Sequence, residues 1–171
     1  PTLYTLGHST RSFEEFQALL AAHGIARIAD VRTIPRSRHN PQFGQPDFER
    51  RLTAAGIAYR HFPGLGGLRH ARPDSVNTGW RNLSFRGFAD YMQTPAFAVA
   101  LEDLAAWALP CPTAILCAEA VPWRCHRSLI ADALQLRGWE VLDIIGLQAA
   151  RPHRATPFLR VVDGRLIYPP E

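Results

Sequence analysis

The chain has no lysine; all 19 of its basic Lys/Arg side chains are arginine. It has three cysteines, one methionine and no apolar run near the roughly 20 residues that span a bilayer. These absences exclude several classes. Cys111, Cys117 and Cys125 are an odd set, too sparse for a disulfide framework in a chain of 171 residues, so free thiols are the expectation. The first residues, Pro1 to Leu6, lack a basic segment followed by an apolar stretch, so no signal peptide is read there and the expected address is the cytoplasm, with no membrane partner. No tight Cys-x-x-Cys pair is present, so no metal site is expected, and no nucleotide fingerprint or P-loop is present either.

What is there suits one domain. Hydrophobic residues make up 47% of the chain, enough to bury a sheet under helices. The formal charge is +4. Arginine presents a planar fork of donors that matches carboxylates and phosphates. A GC-rich coding sequence would account for the arginine total; it would not account for where arginines cluster.

Short apolar segments alternate with helical spacing. Thr2 to Leu6 predicts a strand that breaks at Gly7. Ser12 and Glu15 have capping-box spacing, Phe13, Phe16, Leu19 and Leu20 follow on one face, and Gly24 closes the helix. Strands are expected at Ile25–Val31, Ile57–Phe62, Thr113–Cys117 and Glu140–Ile145. Helices are expected from Pro46 to Gly56, Arg86 to Gln93, Pro95 to Leu109 and Cys125 to Arg137. Gly64 to Phe85 reads as a long loop. Asp163-Gly164 predicts a hairpin turn between Phe158–Val162 and Arg165–Tyr168. The expected fold is a single α/β, Rossmann-like three-layer domain over 1–171, with a mainly parallel central sheet and a C-terminal hairpin.

Ligands of open parallel sheets bind beyond the carboxyl ends of the strands. Four such ends here carry polar groups: His8 and Ser9; Asp30, Arg32, Arg36 and Arg38; His61; and Cys117, Glu119, Arg124, Cys125, His126 and Arg127. A cysteine beside arginines at a helix start should have a depressed pKa and be nucleophilic. The layout is similar to the strand-Cys-loop-Arg-helix cradle of cysteine phosphatases and rhodanese-like sulfur transferases. Six residues separate Cys117 from Arg124, where the phosphatase cradle has five, and Pro122 and Trp123 are bulky for such a loop. Two readings of each residue stand side by side. Cys117 or Cys125 is a nucleophile or a small buried hydrophobe. His8 is an acid or base, or a loop cap. Asp30 orients a histidine or pairs internally with Arg32 or Arg127. Trp80 stacks on a base or plugs its loop.

The set Thr5-Leu6-Gly7-His8-Ser9, Asp30-Val31-Arg32, Pro35-Arg36-Ser37-Arg38, Pro63-Gly64-Leu65-Gly66-Gly67, Cys117-Ala118-Glu119 and Cys125-His126-Arg127 resembles the domain-of-unknown-function family numbered four hundred and eighty-eight. The resemblance runs from about Leu3 to Ile145, with a less typical tail. It implies an α/β domain of bacterial and archaeal type and supplies no reaction.

The functional expectation is an enzyme acting on an anionic, phosphorylated or nucleotide-like substrate. Arg32, Arg36, Arg38, Arg124 and Arg127 would bind the anion. Cys117 or Cys125 would attack, with His8 or His126 moving the proton and Glu119 or Asp30 orienting it, supported by Ser9 and His61. The alternative is a non-catalytic nucleic-acid- or nucleotide-binding module, whose signature would be steep salt dependence. The sequence identifies no particular cofactor.

Overall fold

A computed structural model describes all residues, 1–171. Five strands run parallel: β1 (Thr2–Gly7), β2 (Arg27–Asp30), β3 (Ala58–His61), β4 (Thr113–Cys117) and β5 (Glu140–Ile144). A two-residue strand, β6 (Arg151–Pro152), joins antiparallel to β5, giving the order β3-β2-β4-β1-β5-β6. The hairpin β7 (Arg160–Val162) and β8 (Arg165–Ile167) stands apart. Asp163 and Gly164 both have positive φ, 51° and 75°, the backbone that a two-residue primed turn requires.

Five helices cover the sheet: α1 (Phe13–Ala22), α2 (Asp47–Ala54), α3 (Leu83–Tyr91), α4 (Pro95–Ala108) and α5 (Arg127–Leu136). The capping box of α1 forms as its spacing predicts, with Ser12 and Glu15 each closing on the other's backbone N–H. Alternation along the strands divides the core in two. Leu6, Ile28, Ala114 and Leu116 face α1 and α2, while Leu3, Ala29, Ile115 and Val141 face α3, α4 and α5. Right-handed crossovers require this division, because the chain runs outward from β1 to β3 and then returns through β4 to β5.

The elements depart from the sequence expectations mainly at their ends. Helix α3 starts at Leu83, three residues early, because the Asn82 side chain accepts from the N–H groups of Ser84 and Phe85 and caps it there. Helix α5 starts at Arg127, not Cys125, because Pro122–Arg124 forms a 3-10 turn that leaves Cys125 extended. Strand β6 was not expected; two residues carry no periodicity to read.

Candidate active site

The connection leaving β2 runs one way along the sheet and the one leaving β4 runs the other. Diverging connections open a crevice between neighbouring strand ends, which is where ligands of open sheets bind. Register brings the expected polar positions to this edge: Gly7 pairs with Cys117, and Asp30 pairs with both Leu116 and His61. A cleft of about 390 Å³ lies there, lined among others by Arg32, Thr33, Gly67, Arg124 and His126 and by both cysteines.

Gly7 allows the loop after β4 to fold back over β1. A Cβ at Gly7 would lie 1.5 Å from the Glu119 carbonyl oxygen. The amides of His8 and Ser9 donate to the carbonyls of Cys117 and Ala118, fixing that loop.

The thiols depart from expectation. Cys117 and Cys125 are not separate free thiols but are paired sulfur to sulfur, and Cys111 alone is free. The loop between them returns the chain to the end of β4, and both sulfurs are served by the start of α5. The Arg127 guanidinium donates to Cys117 Sγ at 2.7 Å and to the Glu119 and Ala120 carbonyls. The Arg127 N–H lies 3.4 Å from Cys125 Sγ. Arg127 is fully buried, with its Nε on Thr5, so its donors are committed within the protein. Burial lowers its pKa to about 10, against the pull of Asp143 and Glu119, which leaves it charged at neutral pH.

His126 is set for proton transfer. Its Nε2 contacts the Val31 and Leu65 carbonyls at 2.9 and 3.0 Å, which makes Nε2–H the donor. Nδ1 is therefore an acceptor, and it lies 3.6 Å from Cys125 Sγ. Burial lowers the His126 pKa to about 4, despite its two carbonyl partners, so the ring is neutral. Gly67 makes room for it; a Cβ there would lie 2.6 Å from Nδ1.

On the neighbouring strand Arg32 and Asp30 form a buried two-point ion pair, Nε–Oδ1 2.9 Å and Nη2–Oδ2 2.7 Å, and Tyr59 donates to the same carboxylate. This is the internal pairing expected of Asp30. The remaining Arg32 nitrogen, Nη1, is buried without an acceptor although Arg32 lines the cleft. His8, stacked on Phe43, donates through Nδ1 to the Ser9 carbonyl, so Nε2 is a lone-pair acceptor, also buried and unpartnered. Burial lowers its pKa to about 4, assisted by Arg32.

The other expected residues take lesser places. His61 bonds the Arg32 carbonyl and so holds the loop after β2. Glu119 engages through its carbonyl, with its side chain exposed at the rim of the cleft. Arg124 lines the cleft and is exposed, with no ion-pair partner. Arg36 and Arg38 are exposed on the loop and do not line the cleft. Trp80 sits in an aromatic cluster with Phe85, Phe158 and Tyr168. Sequence reasoning did not find Thr33 or Ser84 on the cleft wall, nor the buried group of Asp132, His153 and Asp143. An aspartate set among apolar neighbours, as in Ile130-Ala131-Asp132-Ala133, was the available signal for that group.

No curated protein and no solved structure matches the chain. The family model for the domain of unknown function DUF488 matches residues 12–134, a span that holds Arg32, Gly67, both paired cysteines, His126 and Arg127. The chain belongs to the DUF488 family.

Proposed function

We propose that the protein is a thiol-dependent enzyme acting on an anionic, phosphorylated or nucleotide-like substrate in the cleft between β2 and β4. Cys125 is the nucleophile. As the Cys125 sulfur attacks the electrophilic centre of the substrate, its proton passes to His126 Nδ1 and the leaving group departs. Cys117 is the second sulfur of the pair, held by Arg127 as a positioning residue. Only the reduced pair can attack, so activity requires a reductant. Arg32 and Arg124 receive the anion, while Arg36 and Arg38 contribute to its long-range attraction.

The observation that carries this reading is Arg32 Nη1, a charged donor buried without an acceptor in the wall of the cleft that both sulfurs line. Buried donors are almost always satisfied, so an unsatisfied one beside a nucleophile candidate marks a place for a ligand acceptor. The test is turnover of phosphate and carboxylate esters with and without dithiothreitol, in wild type and in Cys125→Ser. Reductant-dependent turnover that Cys125→Ser abolishes supports the reading. Turnover indifferent to both, or none across such a panel, counts against it.

A further inference from the structure

Pro122 and Trp123 line a second cavity, of about 700 Å³, whereas the next residues, Arg124 and Cys125, line the thiol cleft. One turn thus divides two sites. The second cavity joins two parts of the chain. Trp80, Pro122, Trp123 and Ser128 come from the segment that matches the family; Asp143 and residues from Ile145 to Phe158 come from beyond it.

Its walls are chemically unlike those of the first cleft. Trp80 and Phe158 pack edge to face with ring centroids 4.9 Å apart. Trp123 is 64% exposed. A single exposed tryptophan is unremarkable on a protein surface. This one borders a cavity of ligand size, with further aromatic rings on its walls. The Trp80 indole N–H is buried without an acceptor. Arg151 and Arg154 are exposed and have no carboxylate partner. Asp143 also lines the cavity, but its oxygens are taken by the Thr5 hydroxyl and by His153. The cavity therefore offers flat apolar rings and two unpaired guanidinium groups.

We propose that this cavity binds a small planar aromatic ligand carrying a negative charge, its ring against Trp123 and its anionic group on Arg151 and Arg154. Stacking and cation pairing are the two interactions these side chains provide, and a nucleoside monophosphate satisfies both. The site stands independently of the thiol chemistry, because none of its three ligand-facing residues lines the first cleft.

The test is calorimetric titration at pH 7 with adenosine 5′-monophosphate, adenosine and inorganic phosphate. The monophosphate should bind saturably and more tightly than either fragment. Trp123→Ala and the double variant Arg151→Ala/Arg154→Ala should each weaken it about tenfold, within the range for loss of one stacking platform or an anion clamp. All three side chains are exposed, so these variants should melt like wild type. Arg32→Lys, which alters the thiol cleft, should retain the part of the binding that Trp123→Ala removes. No saturable binding at millimolar ligand would overturn the proposal. So would unchanged affinity in the Trp123 and arginine variants, or a loss confined to Arg32→Lys.

Discussion

Replacing His153 tests a buried charge group that ties the end of the chain to the sheet. The ring lies between Asp132 Oδ1 at 2.9 Å and Asp143 Oδ2 at 3.3 Å. Thr156 and Tyr168 donate to Asp132 at 2.8 and 2.9 Å, and Thr5 donates to Asp143 at 2.6 Å. Burial opposes a charged imidazole, but the hydrogen bonds and charges of the two carboxylates outweigh it, raising the His153 pKa from 6.5 to about 9. That rise corresponds to about 3 kcal/mol of stability. The folded state holds the proton more tightly than the unfolded chain. The contribution is therefore complete below pH 6.5, declines as pH rises, and is lost above about 9. Urea unfolding from pH 6.5 to 9.5 should show this decline in wild type. His153→Gln should cost roughly 3 kcal/mol or more at neutral pH, because two carboxylates lose their buried cation, and its stability should vary much less over the same window. A flat wild-type profile, or an equal slope in the variant, would mean that His153 does not carry this charge.

Below pH 6.5 stability should fall for a different reason: the unfolded chain protonates at His8 and His126, whereas both rings stay neutral in the fold until about pH 4, so acid titration of unfolding should show a second loss between those values. Gly7→Ala should cost about 3 kcal/mol or more in denaturant unfolding, since its Cβ would overlap a backbone carbonyl at 1.5 Å, whereas Gly24→Ala, strained only by a φ of +64°, should cost about 1 kcal/mol. Phosphate should raise the melting temperature of wild type by mass action, and Arg124→Ala should lose much of that gain; equal gains would remove Arg124 from the anion site.

Much of this was legible in the sequence where the signal is local. The Ser12 and Glu15 cap, the Asp163-Gly164 turn and the gathering of polar residues at strand ends all depend on spacing within one element, and each took the expected form. What depends on the path of a loop was not legible. The eight-residue separation of Cys117 and Cys125 allows many distances, and only the 3-10 turn at Pro122–Arg124 brings the sulfurs together. Likewise, the arginines after β4 look alike in sequence, yet Arg127 turns inward to hold a sulfur and Arg124 remains exposed. The group of Asp132, His153 and Asp143 forms only when the tail folds back on β5; the apolar setting of Asp132 marks it as buried but does not name its partners.

If a reactive Cys125 and an anion site share one cleft, the charge of an alkylating reagent sets its rate. The direct measurement compares alkylation of Cys125 in the reduced protein by anionic iodoacetate and neutral iodoacetamide at matched concentration, read by peptide mapping. An anion-recruiting cleft predicts faster reaction with iodoacetate than with iodoacetamide, slowed by added phosphate. A Cys125 that does not react, or that prefers the neutral reagent and ignores phosphate, would rule out a shared site.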